Sequence, residues 1–313
     1  MIKNNLKLYT IAFIIFIIST FYYNNYNNNV LDSNQSLTFI ENLPQQIRES
    51  ILWYCDYEDQ SFKKWIDSGT GDYYSGGGIF ITDDTNTDFG IENIIVHSGK
   101  YSSYGKITNA KIPGQKKAVR FMRWTDKAWN NNGDYFPDEA YYSVFMYFPE
   151  IYNPSKPPNN DPYGDGGWWN VFQFKSNNNV GSMPVVHLDI YNENNKMYFA
   201  LVIKDFTNDN SDDYTQEYVI QQNPIEIKTN TWVNVEIFYK KSKKYDGIVE
   251  VFLDGFKIFN KKGVRTVLPP GETAIWGIGN YTDYITGGLK NGEATIYFDD
   301  AIISKSKISN YIN

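Results

Sequence analysis

At least nine segments of this chain have the length and pattern of β-strands, and turn residues separate them. They are "KAVRFMRW" (117–124), "YYSVFMYF" (141–148), "WNVFQFK" (169–175), "PVVHLDIYN" (184–192), "KMYFALVIK" (196–204), "WVNVEIFYKK" (232–241), "GIVEVFLDG" (247–255), "AIWGIGNY" (274–281) and "ATIYFDDAII" (294–303). Each alternates, or runs apolar, over strand length. "NENN" before Lys196 and "KKYDG" before Ile248 have hairpin and turn chemistry. No amphipathic stretch of helical period and useful length follows the N-terminus, and no internal repeat is evident. Many strands, polar loops and no long helix predict an all-β protein, a two-sheet sandwich or jelly roll.

The pattern places one such domain over 46–313, a size that a single all-β domain reaches. Residues 24–45 are Asn-rich and read as a linker. Ahead of them, Lys3 and Lys7 precede an uncharged apolar run from Leu8 to Tyr23. This is the charge-then-apolar order of an export signal. As a helix the run spans about 24 Å, short of the roughly 30 Å hydrocarbon core. A cleaved signal peptide and a retained membrane anchor over 1–23 both fit, and either predicts an extracellular or cell-surface protein.

Composition narrows the function. Aromatic residues make up 17% of the chain, with 26 Tyr, 20 Phe and 8 Trp. Pleated sheets accommodate them, and sugar C–H faces pack on such rings. The net charge is −7 and no basic run occurs, which argues against a nucleic-acid partner. The single cysteine, Cys55, excludes an internal disulfide and a multi-cysteine zinc site. The histidines are His97 and His187, so any histidine chemistry must use these two.

The strand "WWNVFQFKS" (168–176) carries unusual chemistry. Simple alternation places Trp169, Val171, Gln173 and Lys175 on one face, and Trp168, Asn170, Phe172 and Phe174 on the other. Indole, amide and amine together suit a sugar-binding floor, with Trp169 as a platform. The loop 153–167 precedes this strand and is expected to rim it. The acidic stretch 205–217 lacks the Gly and Glu of a calcium loop and is read as a solvated turn.

These residues resemble a known group. "YCDYEDQSFKKW" (54–65), "HSGKYS" (97–102) and "IYFDDAIIS" (296–304) resemble concanavalin-like and carbohydrate-binding jelly rolls. "NTWVNVEIFYKKSKKYDGIVEVFLDGFKIFN" (230–260) resembles the paired strands of heparin-lyase-I-like polysaccharide lyases. Alginate-lyase-like jelly rolls carry R-x-E-x-R, Q-x-H and G-x-Y in that order. Here "RFMRW" (120–124), "QFK" (173–175) and "GNY" (279–281) stand in those places. Met122 replaces the glutamate, Trp124 the second arginine and Lys175 the histidine.

The resemblance implies β-elimination on a uronate-containing, acidic polysaccharide by a monomeric enzyme that needs no organic cofactor and meets a membrane only through its N-terminal segment. Elimination requires a neutralised carboxylate, a base and an acid. Arg120 and Gln173 suit the first task. Tyr281 suits the acid, and also the base if cations lower its pKa. Lys175 can neutralise or act as base, and His187 is another candidate base. Asp189 and Tyr191 share the face of His187, and with Trp169 and Trp124 they are expected to contact substrate. Glu58 and Asp299 fall where related jelly rolls hold a structural calcium. The alternative is a non-catalytic, surface-anchored carbohydrate-binding or adhesion protein on the same fold. "HLDIYNE" lacks the closely alternating carboxylates of a retaining glycosidase. Asn34 and Asn280 lie in glycosylation sequons, and a sugar on Asn280 would crowd the site.

Overall fold

The computed structural model describes residues 37–66, 78–82, 86–108, 117–124, 137–152, 168–178, 181–206, 214–268, 273–282 and 293–312. Their strands are β1 (Ile51–Cys55), β2 (Gly78–Ile81), β3 (Thr87–Glu92), β4 (Ser102–Thr108), β5 (Lys117–Trp124), β6 (Glu139–Tyr147), β7 (Trp169–Asn178) and β8 (Gly181–Glu193). They continue with β9 (Lys196–Phe206), β10 (Tyr214–Val219), β11 (Trp232–Lys240), β12 (Gly247–Leu253), β13 (Phe256–Val264), β14 (Thr273–Thr282) and β15 (Glu293–Ser304). Helix is confined to short pieces: α1 (Phe39–Asn42), α2 (Gln45–Arg48), α3 (Lys63–Ile66) and a 3-10 turn at Ser309–Tyr311.

Two antiparallel sheets result. Sheet A runs β13-β12-β11-β6-β15-β4-β3, with β1 also pairing β15. Sheet B runs β10-β9-β8-β7-β14-β5-β2. This is the jelly-roll sandwich that the strand pattern predicts. Its hairpins follow from local chemistry. Asn194 and Asn195 both adopt positive φ, 55° and 60°, as do Asp254 and Gly255, 48° and 79°. Such pairs of left-handed residues match the twist of the strands they join, and Asn, Asp and Gly reach them at least cost.

The inner faces of the sheets meet through aromatic rings. Phe174 of sheet B stacks on Tyr239 of sheet A at 3.9 Å between centroids. Tyr142 meets Phe174 at 4.8 Å and Trp276 at 5.4 Å, and Phe121 meets Phe298 at 5.7 Å. Each such pair adds about 0.5–1.5 kcal/mol beyond burial. Part of the aromatic surplus noted in the sequence is therefore core. Near the first described residues, Thr38 caps α1 in a reciprocal box with Glu41, and Leu43 and Ile47 pack on Ile302 and Ile308. The stretch expected to be a solvated turn at 205–217 instead yields strand at its ends. β9 runs to Phe206, and β10 pairs with it from Tyr214.

Candidate active site

Strand β7 does not alternate regularly. Its pairing with β8 shifts between Asn170 and Phe172, and its pairing with β14 shifts between Ile278 and Tyr281. A bulge therefore sits at Val171, and it re-aims the residues before it. Phe172 and Phe174 still face the core, but Trp169 joins them. Trp169 is fully buried, stacks on Tyr152 at 4.6 Å and donates its indole N–H to Asn280 Oδ1 at 2.7 Å. The expectation of Trp169 as a sugar platform is thus wrong, because the bulge turns it inward. Asn170 takes its place on the opposite face.

That opposite face, turned away from the core, gathers the predicted residues. Directly paired residues in antiparallel strands share a face. Gly279 of β14 lies opposite Arg120 of β5, and Gly277 lies between Met122 of β5 and Gln173 of β7. Gln173 is opposite His187 of β8, Tyr281 is opposite Asn170, and Asn170 is opposite Asp189. Lys175 follows Gln173 two residues on. One face of sheet B thus carries Arg120, Asn170, Gln173, Lys175, His187, Asp189, Tyr191 and Tyr281.

The two glycines make the floor flat. A Cβ at Gly279 would lie 2.8 Å from Arg120 Cγ and 2.5 Å from the Val119 carbonyl oxygen. One at Gly277 would lie 2.8 Å from Met122 Cγ. The Arg120 side chain accordingly lies over Gly279. Its guanidinium sits 5.1 Å from the Tyr281 ring centroid and 5.7 Å from that of Phe80. Trp168 supports Tyr281 from its edge at 4.5 Å.

The electrostatics are those of a site awaiting an anion. Arg120 and Gln173 are 5% and 3% exposed, and Arg120 Nη2 and Gln173 Nε2 make no hydrogen bond among the described residues. Buried donors without acceptors are costly, so their persistence calls for an acceptor from outside. Burial lowers the Arg120 pKa to about 10, with Tyr281 opposing. Burial, and then Arg120, push Lys175 down to about 7. On β8, His187 Nδ1 lies 2.9 Å from Asp189 Oδ1, which also accepts Asn170 Nδ2 at 3.2 Å. Further along, the buried Tyr191 hydroxyl makes no hydrogen bond among the described residues, and burial followed by Glu193 raises its pKa to about 12. Tyr191 and Tyr198 rings lie 5.4 Å apart and extend the surface onto β9.

Other predicted positions lie elsewhere. The Trp124 side chain and the loop 153–167 fall outside the described residues, as does Asn34. Arg123 faces the core, with its guanidinium 5.3 Å from the Trp53 ring. Asn280 is fully buried; it donates to the carbonyls of Gly105 and Ala294, each at 3.0 Å. It points away from the site face, so the expectation that a sugar there would crowd the site does not hold.

Glu58 and Asp299 both clamp one loop. Glu58 Oε1 accepts the amides of Lys100 (2.7 Å) and Tyr101 (2.9 Å). Asp299 Oδ2 accepts those of His97 (3.0 Å) and Ser98 (3.3 Å). The tighter group is His97, Asp299 and Asp300, whose ligand atoms lie within 4.8 Å of one another. Asp300 Oδ1 is buried and makes no hydrogen bond among the described residues. Burial, and then Asp300, raise the Asp299 pKa well above its usual range. Asp300 was not predicted, although "FDD" placed it beside Asp299. Asn170 was missed because alternation without a bulge puts it in the core.

The two-sheet jelly roll thus carries a cationic, amide-bearing and phenolic face on one of its sheets. A polysaccharide lyase family model matches residues 68–301, most of the chain, and the protein belongs to that family. The fold is similar to that of an endo-β-1,4-glucuronan lyase from the fungus Trichoderma reesei. The TM-score is 0.55 and the identity 14%, over 82% of this chain and 96% of that one. A marine PL-14 alginate lyase from Aplysia kurodai matches at a TM-score of 0.48 and 11% identity, over 82% and 99% of the two chains. No curated protein matches in sequence.

Proposed function

We propose that the protein cleaves an acidic, uronate-containing polysaccharide by β-elimination on the outward face of sheet B. The observation that carries this reading is the pair of buried donors, Arg120 Nη2 and Gln173 Nε2, which make no hydrogen bond among the described residues and share one face with Lys175, His187 and Tyr281. A uronate carboxylate supplies an acceptor to both. Its neutralisation acidifies the adjacent C5–H bond. A carboxylate between Arg120 and Lys175 also draws the Lys175 ammonium back to its charged form, since an anion opposes the two effects that lower its pKa. In the complex Lys175 therefore serves the clamp.

Acid and base then flank the clamp. His187 on the β8 side takes the C5 proton. The C–H electron pair becomes the C4–C5 double bond, and the C4–O4 bond breaks. Tyr281 on the β14 side gives its phenolic proton to the departing oxygen. Exchange with water resets both groups. The products are one saturated chain end and one unsaturated uronate. The fold likeness to a glucuronan lyase is consistent with a polyuronate substrate.

The apolar run Leu8–Tyr23 supports export, to be checked by cell fractionation. A structural calcium fits the group of His97, Asp299 and Asp300, because it offers two hard carboxylates, and Asp300 Oδ1 makes no hydrogen bond among the described residues. It would neutralise buried charge and tie β15 to the 97–101 loop. Chelation is expected to lower the melting temperature, and calcium to restore it, without changing the site residues.

The test of the catalytic reading is incubation of the purified protein with a panel of uronate polymers while ultraviolet absorbance of unsaturated ends is followed. Activity on at least one polymer, lost in Tyr281→Phe, supports it. Binding without any absorbance change refutes it and leaves a carbohydrate-binding protein.

A further inference from the structure

We infer that Asp189, held in turn by Asn170, is a positioning residue that fixes the tautomer of His187. This rests on the lyase reading above and adds what makes His187 able to accept a proton. The Asp189 carboxylate is 3% exposed. Its Oδ1 receives two contacts, His187 Nδ1 at 2.9 Å and Asn170 Nδ2 at 3.2 Å. A neutral imidazole carries one N–H, and a carboxylate beside Nδ1 holds that hydrogen there. Nε2 then keeps its lone pair. It makes no hydrogen bond among the described residues, and the side chain retains 11% of its surface.

The strand geometry aims that lone pair where it is needed. His187 lies directly opposite Gln173, whose Nε2 is one of the two buried donors of the clamp. A carboxylate bound at Gln173 brings the adjacent C5–H next to the imidazole. Asn170 is the part that alternation alone would misplace. Only the bulge at Val171 brings its amide to this face, where it also approaches the carbonyl of Leu188 at 3.4 Å. Bulges recur beside active sites because they re-aim one side chain. Here the re-aimed side chain braces the carboxylate rather than touching substrate. A surface histidine that merely satisfies a neighbouring carboxylate would need neither the bulge nor the burial.

The experiment uses the full chain, uniformly labelled with nitrogen-15. Two histidines make long-range proton–nitrogen spectra tractable, and His187→Gln assigns the signals. Wild-type His187 is expected as the Nδ1–H tautomer. In Asp189→Asn, whose amide can donate to Nδ1, the hydrogen is expected to move to Nε2. The same variant should lose about 10²-fold or more in kcat, within the range for general acid–base groups, with KM within threefold. Asn170→Ser leaves the carboxylate in place and should give a smaller kcat loss with a mixed tautomer. Its folding also guards against a collapse of Asp189→Asn. An Nε2–H tautomer in the wild type overturns the inference. So does an Asp189→Asn protein with wild-type kcat. If no polymer is cleaved, the lyase reading falls, while the spectra still decide whether Asp189 sets the tautomer.

Discussion

Replacing Lys175 by methionine should stabilise the protein while damaging its activity. Burial and Arg120 lower the Lys175 pKa from 10.5 to about 7. The native state therefore holds this proton more weakly than the unfolded chain. Below about pH 7 both states are protonated, and the fold bears the full cost of a confined ammonium. Between pH 7 and the unfolded value the unfolded chain binds the extra proton, so native stability rises with pH. The whole displacement corresponds to about 5 kcal/mol at 1.36 kcal/mol per pKa unit, a ceiling because the side chain keeps some contact with water. Over pH 7 to 8.5 the change is about 1.5 kcal/mol. Methionine keeps most of the length of the side chain and removes the charge. Urea denaturation of both proteins at several pH values gives the difference directly, and other titrating groups cancel. The Lys175→Met protein is expected to be the more stable at pH 7, with its advantage shrinking by about 1.5 kcal/mol by pH 8.5. A difference that is flat across this window refutes the placement of Lys175 in a desolvated, cation-flanked site.

Tyr281→Phe should lower kcat about 10²- to 10⁴-fold, as loss of a general acid does, with an unchanged melting temperature. Its ring still packs on Trp168 and Arg120. Gly279→Ala should push Arg120 from its seat, since the new Cβ would lie 2.8 Å from Arg120 Cγ. The same Cβ would lie 2.5 Å from the Val119 carbonyl oxygen and strain the β5–β14 pairing, so activity should fall about 10²-fold or more; wild-type kcat/KM would refute the flat-floor role. Trp169→Ala should cost about 3–5 kcal/mol of stability in denaturant melts, as a buried aromatic does. A stable Trp169→Ala protein that loses only glycan binding would return Trp169 to the surface.

The strands that alternate cleanly were legible in the sequence. "KAVRFMRW" is β5 over its full length, and β7, β8, β9, β11 and β14 begin within three residues of their expected starts. Their burial on one face imposes a period of two that polar loops do not share. Six strands lie outside the nine segments, namely β1, β2, β3, β4, β10 and β13, and three of them are short or polar. β2 has four residues, β3 carries a glycine, and "YTQEYV" of β10 is largely exposed at the edge of sheet B. No buried stripe marks such segments, so pairing alone defines them. For the site, the order of Arg120, Gln173 and Tyr281 was readable because each stands in a short motif on a strand whose extent the sequence shows, whatever irregularity the pairing adds. Trp169 and Asn170 were exchanged, because a bulge is set by pairing with β8 and β14 and leaves no periodic trace. Gly277 and Gly279 were passed over for a related reason. Their role lies in what Arg120 and Met122 place above them, which is a contact across strands.

The central claim is that Arg120 and Gln173 clamp a uronate carboxylate so that its neighbouring C–H bond is cleaved by elimination. Mass and ultraviolet analysis of the products from a uronate polymer tests it most directly, run in parallel on the wild type and Arg120→Gln. The wild type should release oligosaccharides with unsaturated ends, and Arg120→Gln should release almost none. Cleavage that yields only saturated ends, or wild-type turnover without Arg120, would contradict the account.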